Sequence, residues 1–361
     1  MPQRLVIIGS GFAGMYAALS AARLRDTNHV SPDELEIALV APEPTLVIRP
    51  RLYEPSPETL TAPLSALLDA IDVVYVQGRV KTIDTRGRWI EAVGPSGNRY
   101  SLTYERLVIA TGSRLFRPDI PGFAERAFSV DQLDEAIRLD AHLESLAGRP
   151  SSKARNTIVV VGGGFTGIEA ATEMPTRLRK VLGQGTEIRV VIVEHSPGIA
   201  PDMGTAARPL IEKALREVGV ETRLGIGVTE LGAESVTLAD GEQIEAQTVI
   251  WAGGLRAAPL TAQIPGQHDN LGRLVVDRDL RVPEVPGVFA TGDAAKAACD
   301  DIGNYALMSC QHATRLGAFA NSERWAVLLR AIEQLDACDL KTFVMCRAEE
   351  ISAGIGLEAT G

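Results

Sequence analysis

The feature that most constrains this chain is a glycine spacing close to its N-terminus. Gly9, Gly11 and Gly14 follow an apolar run at residues 5–8 in the order G-x-G-x-x-G. This spacing is typical of a buried strand that turns directly into a helix, because it permits a tight turn, close approach to a pyrophosphate and close helix–strand packing. The N–H groups and dipole of the helix N-terminus attract the anion. The stretch therefore predicts a dinucleotide site.

A second copy of this spacing makes the interpretation more specific. Gly162, Gly164 and Gly167 follow an apolar run at residues 157–161. After each copy come short alternating runs that predict a small antiparallel meander, and then a buried strand that ends in small residues. We therefore predict an α/β fold with two Rossmann-like dinucleotide-binding domains, each with a small meander, and a short C-terminal segment.

The small residues that follow the later strands are candidates for cofactor contact. The Asp293 carboxylate suits hydrogen bonds to a polyol chain such as the ribityl of a flavin. The alternative is that Asp293 N-caps a following helix. The candidates are Ala110, Thr111 and Gly112 after the first meander, Gly253 after the second, and Asp293 in the segment 287–294.

An acidic residue at the end of the second strand of such a unit usually binds a ribose. In the first unit this position falls on Ala41, and Glu43 two residues later is either the ribose acid or an exposed loop residue. In the second unit Glu194 ends the strand, where it is placed to accept from the ribose hydroxyls and to repel a 2′-phosphate. We therefore favour NADH over NADPH, a preference that the adjacent His195 softens.

The segment 47–54 combines cations and aromatic residues between prolines, which predicts an irregular loop. Ligands sit at loops after the carboxyl ends of parallel strands. Pro50, Arg51 and Tyr53 are therefore candidates for the ring end of a cofactor. Solvent-facing salt bridges are the alternative for Arg49 and Arg51.

Composition excludes several classes of function. The net charge of −10 argues against a nucleic-acid partner, and no apolar run is long enough for a membrane span. The first strand begins too soon for a signal peptide, and the four cysteines form no C-x-x-C pair. We expect a reduced, cytoplasmic protein. The five histidines show no ligand spacing, so no metal site is predicted.

Together, the two glycine spacings, the sequence Ala110-Thr111-Gly112 and the sequence Ala290-Thr291-Gly292-Asp293 resemble the FAD-dependent pyridine nucleotide oxidoreductases with two dinucleotide-binding domains. Within that superfamily the chain is most similar to the type II NADH dehydrogenase (NADH:quinone oxidoreductase) branch. The similarity rests on residues 161–169, 251–254 and 309–317. It extends over about residues 4 to 322.

The resemblance implies a role for each motif. The first glycine spacing would hold the pyrophosphate of FAD, with Asp293 on the ribityl, and the second would hold the pyrophosphate of NADH, with Glu194 on the ribose. Glu169 matches the family's acid near the stacked nicotinamide and flavin. Gln311 matches the first glutamine of the family motif A-Q-x-A-x-Q at the quinone end of the isoalloxazine.

The chain departs from that motif at two positions. The first alanine is Cys310, which is either a flavin-facing thiol or a small buried residue. The second glutamine is Arg315, whose charge favours an anionic or more polar acceptor over a lipid quinone. His312, beside Gln311, is either a proton donor or a helix-face histidine that its neighbours satisfy.

The C-terminus is a second departure, because relatives in this branch continue into interface strands and membrane-associated helices. Here we predict a helix over about residues 322–335 and a short apolar run at 342–346, followed by a polar, acidic end. That end lacks the basic and aromatic face of an interfacial helix, so peripheral membrane contact is not expected. A homodimer contact or a remodelled acceptor site is left open.

These observations define the predicted domains and activity. An FAD-binding domain spans residues 1–122 and 269–330, an NAD(P)H-binding domain spans 123–268, and 331–361 form a C-terminal segment. We predict an FAD-dependent NADH oxidoreductase that passes hydride from NADH to FAD and two electrons on to a quinone-like or other small-molecule acceptor. The alternatives are a soluble flavoenzyme acting on a specific metabolite and a non-catalytic flavin- and NADH-binding interaction protein.

Overall fold

The computed structural model describes residues 3–201, 206–300 and 302–319. The predicted helix at 322–335 and the apolar run at 342–346 lie outside these residues. The described helices are α1 (Phe12–Thr27), α2 (Ser65–Ala70), α3 (Phe123–Arg126), α4 (Leu133–Ser145), α5 (Phe165–Leu182), α6 (Arg208–Glu217) and α7 (Cys310–Phe319).

The described strands are short, as in most α/β domains. In chain order they are β1 (Gln3–Ile8), β2 (Leu35–Ala41), β3 (Thr45–Val47), β4 (Thr61–Pro63), β5 (Val74–Gln77), β6 (Arg79–Asp84), β7 (Trp89–Val93), β8 (Arg99–Thr103), β9 (Arg106–Ile109), β10 (Ser113–Leu115), β11 (Ala127–Phe128), β12 (Thr157–Val161), β13 (Arg189–Glu194), β14 (Val220–Leu224), β15 (Val228–Leu231), β16 (Ser235–Leu238), β17 (Gln243–Glu245), β18 (Thr248–Trp251), β19 (Leu255–Ala257), β20 (Leu274–Val275), β21 (Val288–Ala290) and β22 (Ala295–Lys296).

The first of two compact units contains the described residues within Met1–Leu46, Ala62–Gly112 and Ala257–Gly361. Its parallel sheet has the order β21-β9-β1-β2-β5, and strands β6, β7 and β8 form an antiparallel meander. Ile8 pairs with Ile109, and Ile109 also pairs with Ala290, so three strands end together at one edge. Ligands bind at such an edge in open α/β sheets.

The second unit contains the described residues within Val47–Thr61 and Ser113–Arg256. Its parallel sheet has the order β11-β18-β12-β13-β14, and β15, β16 and β17 form an antiparallel meander. All five residues of β12 are buried, as expected for a central strand covered on both faces. The unit therefore repeats the plan of the first.

The predicted fold class is confirmed, because both sheets, both glycine turns and both meanders are present. The compact units do not coincide residue by residue with the predicted domains. Residues 113–122 group with the second unit, and so does the proline-rich excursion 47–61, while residues 257–268 group with the first. The predicted domain boundaries themselves stay a prediction.

One local expectation is wrong. Asp293 was a candidate N-cap for a following helix, but the residues Gly292–Ala294 form a single 3-10 turn without a side-chain cap, and β22 follows directly. The alanines after Asp293 are buried against the first unit's core, where strand pairing of β22 with β20 satisfies their backbone. Among the described helices, none combines the length and the apolar character that a membrane crossing requires.

Candidate cofactor sites

The first glycine turn joins β1 to α1, and its three glycines have different surroundings. A Cβ on Gly9 would clash with the Ala110 carbonyl, and a Cβ on Gly14 would clash with the Gly9 carbonyl. A Cβ on Gly11 would meet no atom within 4 Å. Gly9 and Gly14 are therefore required by packing, while Gly11 borders open space that a ligand can enter.

The second glycine turn, between β12 and α5, has the same arrangement. A Cβ on Gly162 would lie 2.7 Å from the Gly253 nitrogen, and a Cβ on Gly167 would clash with the Gly162 carbonyl. A Cβ on Gly164 would meet no atom within 4 Å. The middle glycine is again the one that the fold itself does not require.

Both helices that follow these turns present their N-termini without a side-chain cap. Gly11 and Gly164 are the N-caps, both in extended conformation, and neither helix carries an acidic residue in its first turn. Several N–H groups at a helix N-terminus lack intrahelical partners, and the helix dipole is positive there. Each turn therefore offers hydrogen-bond donors to an anion beside its open glycine.

The carboxyl edge of the first unit's sheet holds two hydroxyls that no described group satisfies. Thr111 follows β9 and Thr291 follows β21, and the Oγ1 atom of each is buried without a hydrogen-bond partner in the described structure. Asp293, two residues after Thr291, is also buried. A Cβ on Gly112 would meet no atom within 4 Å, so this edge too borders open space. Orphaned polar atoms next to open space are typical of a ligand site.

Glu43 follows β2, and Arg51 follows β3. The Ser10 hydroxyl donates to the Glu43 carbonyl at 3.2 Å, so the backbone of Glu43 adjoins the first glycine turn, while its side chain is exposed. Arg51 Nε donates to Glu54 Oε1 at 2.6 Å, and the Arg51 side chain is 50% exposed. Arg51 thus forms a solvent-facing salt bridge with Glu54, which was the alternative to a cofactor contact. A contact between Arg51 and a cofactor stays a prediction.

The sequence did not predict the polar contacts that hold the segment 47–54 in the second unit. Arg49 donates to the carboxylate and the carbonyl of Asp131, and buried Arg177 donates to the Tyr53 carbonyl at 2.8 Å. Leu52 is buried in the core of the second unit. These partners are distant in sequence, so no local pattern signals them.

Glu194 occupies the predicted position at the end of β13. It is only 4% exposed, its Oε2 accepts from the Gly163 N–H at 2.6 Å, and its Oε1 accepts from the Ser196 N–H at 2.7 Å. Burial opposes ionisation, but these backbone hydrogen bonds and the adjacent His195 hold the pKa of Glu194 below its ordinary value. The carboxylate is therefore charged and fixed against the second glycine turn.

Glu169 lies on the exposed side of α5, one turn after the helix begins. Desolvation of its carboxyl raises the pKa of Glu169 above the ordinary value. Burial also raises the pKa of Tyr53, and the charge of Glu169 adds to that effect. Tyr53 and Glu169 are thus electrostatic neighbours within the second unit.

Helix α7 packs on α1 through small residues. A Cβ on Gly317 would clash with the Ala13 carbonyl, and the Ser20 hydroxyl donates to the Ala318 carbonyl at 2.6 Å. Gln311 and Arg315 are exposed and four residues apart, which places them on one face of the helix.

The other two candidates of this helix are only partly buried. Cys310 is the first residue of α7 and is half-buried, so both interpretations of this cysteine stay predictions. His312 Nδ1 lies 2.8 Å from the Ser309 hydroxyl. The imidazole therefore has a hydrogen-bond partner on a neighbouring residue, as the second of its two interpretations expects.

Thr291 is the residue that sequence reasoning quoted in a motif but did not assign to the site. The signal was available, because Ala-Thr-Gly occurs twice, at 110–112 and at 290–292. The first copy follows β9, the second begins with the last residue of β21, and these two strands pair with Ala290 opposite Ile109. A repeated motif on paired strands indicates a shared role at one sheet edge.

Comparison with known proteins gives a family match over most of the chain. A family model described as pyridine nucleotide-disulphide oxidoreductase matches residues 3–317. Two NADH dehydrogenase-like proteins of Mycobacterium tuberculosis are 46% identical over 319 residues, which cover 88% of this chain and 78% of each relative. A type II NADH:quinone oxidoreductase of the same organism is 29% identical over 319 residues, with coverage of 81% and 67%.

A solved structure supports the same architecture. NDH2 from Plasmodium falciparum, determined in complex with NADH, matches with a TM-score of 0.71 and 21% identity. The match covers 82% of this chain and 65% of that one, so the chain spans less than two thirds of that protein. At this level of identity the likeness shows the fold alone.

Proposed function

Because this chain belongs to the pyridine nucleotide-disulphide oxidoreductase family, we propose that its first unit binds FAD, that its second unit binds NADH, and that it passes two electrons from NADH to a small, quinone-like acceptor. Identity of 46% to NADH dehydrogenase-like proteins supports NADH as the donor. The quinone acceptor named for the type II relative supports a quinone-like acceptor.

The observation that carries the proposal is the matched pair of open positions at Gly11 and Gly164. In each turn the outer glycines are fixed by contacts of the protein with itself, and only the middle one faces free space. Each open position coincides with an uncapped helix N-terminus. Two such places in one chain suit two pyrophosphates.

The residues of the first unit fit FAD. The first glycine turn and the N-terminus of α1 would hold the pyrophosphate, Glu43 would lie toward the adenosine ribose, and Asp293 would accept from the ribityl hydroxyls. The buried hydroxyls of Thr111 and Thr291 would gain the partners that they lack. When bound, FAD supplies the redox chemistry, since it accepts hydride from NADH and yields electrons to the acceptor.

The residues of the second unit fit NADH. The second glycine turn and the N-terminus of α5 would hold the pyrophosphate, and the absence of a Cβ on Gly162 permits the close approach of the Gly253 backbone. The Glu194 carboxylate would accept from a ribose hydroxyl with its remaining lone pairs. Glu169, whose pKa is raised by desolvation, would lie toward the nicotinamide end of the site.

The exposed face of α7 suits the acceptor. The Gln311 amide would donate a hydrogen bond to an acceptor oxygen, and Arg315 on the same face would attract negative charge. Cys310 and His312 flank Gln311 at the start of the helix.

Substitution of the middle glycines tests the proposal. We expect the wild-type protein to bind FAD and to lose its yellow colour on anaerobic mixing with NADH. Gly11→Ala should keep the fold but weaken FAD binding by about tenfold or more, because the added methyl enters the ligand's space. Gly164→Ala should retain FAD and require a correspondingly higher NADH concentration for reduction of the flavin.

Gly14→Ala is the matched control, because its methyl would collide with the Gly9 carbonyl and lower the melting temperature. A folded wild-type protein that takes up no FAD would overturn the proposal. A Gly11→Ala protein that binds FAD as tightly as wild type would contradict the assigned site.

A further inference from the structure

His195 follows Glu194, the residue that we predict to favour NADH over NADPH. Its Nδ1 lies 2.9 Å from Glu194 Oε1, and its side chain is 84% exposed, whereas that of Glu194 is 4% exposed. The carboxylate is thus buried and fixed, and the imidazole in contact with it is exposed. A ligand group that approaches Glu194 from solvent meets His195 as well.

The position of Glu194 is set by the second glycine turn. Its Oε2 accepts from Gly163, the residue between the first two glycines of the turn, and a Cβ on Gly163 would lie 3.1 Å from the Glu194 Cβ. The adenosine ribose of a dinucleotide bound at this turn lies at the end of the second strand. A 2′-phosphate on that ribose would therefore face both the Glu194 carboxylate and the His195 imidazole.

We infer that His195 makes the choice between NADH and NADPH depend on pH, with its protonated form admitting the 2′-phosphate that Glu194 repels. This inference rests on the proposed binding of a nicotinamide dinucleotide by the second unit. Histidine gains a proton between about pH 8 and pH 5. The imidazolium would both offset the carboxylate and attract the phosphate, while neutral imidazole would leave the carboxylate's repulsion in place.

The charged residues of the neighbouring strand β14 form ion pairs with residues other than Glu194 and His195. Arg189 and Glu221 pair at 2.8 Å, and Arg223 pairs with Glu242 at 3.3 Å and with Glu221 at 3.6 Å. The following residues Gly225 and Ile226 donate backbone hydrogen bonds to the Ser196 and Glu194 carbonyls.

Arg208 of α6 is a described cation that follows β13 in the chain. Its Nε donates to the Ile199 carbonyl at 3.1 Å, and its guanidinium lies against Gly198. Arginine keeps its charge over the whole range in question, so Arg208 contributes attraction for a phosphate but no dependence on pH. Glu194 stays ionised in this range, because its backbone hydrogen bonds hold its pKa low. Among the described residues named for this region, His195 is the one histidine.

Calorimetric titration of the FAD-loaded protein with NAD⁺ and NADP⁺ at pH 6 and pH 8 tests the inference without turnover. We expect the affinity for NADP⁺ relative to NAD⁺ to rise by about three- to tenfold at the lower pH, as for a single solvent-exposed charge. His195→Gln should reduce that rise to less than about twofold. His195→Arg should raise relative NADP⁺ affinity at both pH values, because its charge is permanent.

The 2′-phosphate itself titrates at about pH 6, but this effect is the same for every variant, so the comparison removes it. His29→Asn is the control, since His29 is exposed in the first unit with φ +56°, a conformation that asparagine tolerates. Its pH response should equal that of wild type. Added salt should reduce the difference between wild type and His195→Gln.

Two results would overturn the inference, and they are distinguishable. If both coenzymes bind but wild type and His195→Gln respond to pH alike, the role of His195 is wrong and the proposed function stands. If neither coenzyme binds at either pH while the protein is folded, the NADH site of the proposed function is wrong and the inference falls with it.

Discussion

Thr111 and Thr291 bury hydroxyls that have no hydrogen-bond partner in the described structure. A buried polar group without a partner costs about 1–3 kcal/mol, because its hydrogen bonds to water are lost and not replaced. The two residues are therefore a source of instability in the protein alone and a source of affinity once a ligand supplies the missing partners.

Thr291→Val should consequently have opposite effects on the protein alone and on the complex. Valine has nearly the same shape without the hydroxyl, so the melting temperature of the flavin-free protein should stay the same or rise. The affinity for FAD should fall by about fivefold, as expected for the loss of one hydrogen bond. Thermal unfolding with and without FAD, together with titration of FAD, measures both effects.

Thr248→Val is the matched control, because Thr248 is equally buried but its hydroxyl lies 2.8 Å from His142 Nε2. Here the same substitution removes an existing hydrogen bond and should lower the melting temperature of the flavin-free protein. If Thr291→Val also destabilises the flavin-free protein to the same extent, the Thr291 hydroxyl has a partner within the protein and is not held for a ligand.

At the scale of the elements, α4 is linked to β18 by a histidine that folding keeps neutral. Burial, and then the charge of Arg149, lower the pKa of His142 to about 4 from the ordinary value of 6.5. His142 also hydrogen-bonds Thr248 and stacks on Phe128 with 4.2 Å between ring centroids. Because the unfolded chain binds this proton more readily, stability is present above about pH 6.5 and is lost as pH falls toward 4.

His142→Gln should therefore flatten the acid side of the stability profile. Between about pH 7 and pH 5 the wild-type protein should lose about 1–2 kcal/mol of unfolding free energy through this group. Glutamine keeps a polar group toward Thr248 but does not titrate, so this part of the loss should disappear. Urea unfolding across the pH range measures the difference, and His29→Asn should retain the wild-type slope. Parallel profiles for wild type and His142→Gln would show that His142 is not the cause.

At the scale of the whole molecule, the chain consists of two units with one plan. In both sheets the strand before the glycine turn lies between the later closing strand and the strand that follows the first helix. The predicted family is confirmed, since the family model matches residues 3–317. The predicted enzyme class, an oxidoreductase that uses a pyridine nucleotide, is confirmed with it.

In the proposed reaction the electrons pass to an acceptor, and Arg315 is predicted to lie on the acceptor side. Arg315 is exposed on the same face of α7 as Gln311 and forms no ion pair within the described residues. We expect Arg315→Gln to lower kcat/KM for a naphthoquinone sulfonate by about three- to fivefold, through loss of one exposed charge contact. The value for the neutral naphthoquinone should change little. Steady-state turnover with NADH and the two acceptors measures both.

Arg79→Gln serves as the control for this comparison, because Arg79 is an exposed arginine on β6 of the same unit. It should leave both acceptors unaffected. Equal losses with the charged and the neutral quinone in Arg315→Gln would show that the arginine supports the helix and does not select the acceptor.

The sequence alone determined the parts that depend on local backbone geometry. The glycine turns at Gly9 and Gly162 follow from spacing, because only glycine fits where a Cβ would meet the next strand's backbone. Helix α5 was predicted with its observed bounds because its turn, its helical pattern and its glycine stop are contiguous in sequence. Glu194 was placed at the end of β13 for the same reason.

Only the tertiary structure decided what depends on contacts between distant residues. It placed the excursion 47–61 in the second unit, left the Thr291 hydroxyl without a partner, and set His195 against a carboxylate that is bound to Gly163. Such contacts arise from the packing of whole elements, and no short-range pattern encodes them. The sequence therefore fixes where each cofactor's phosphates would lie, whereas the folded chain decides which side chains are free to meet the rest of the ligand.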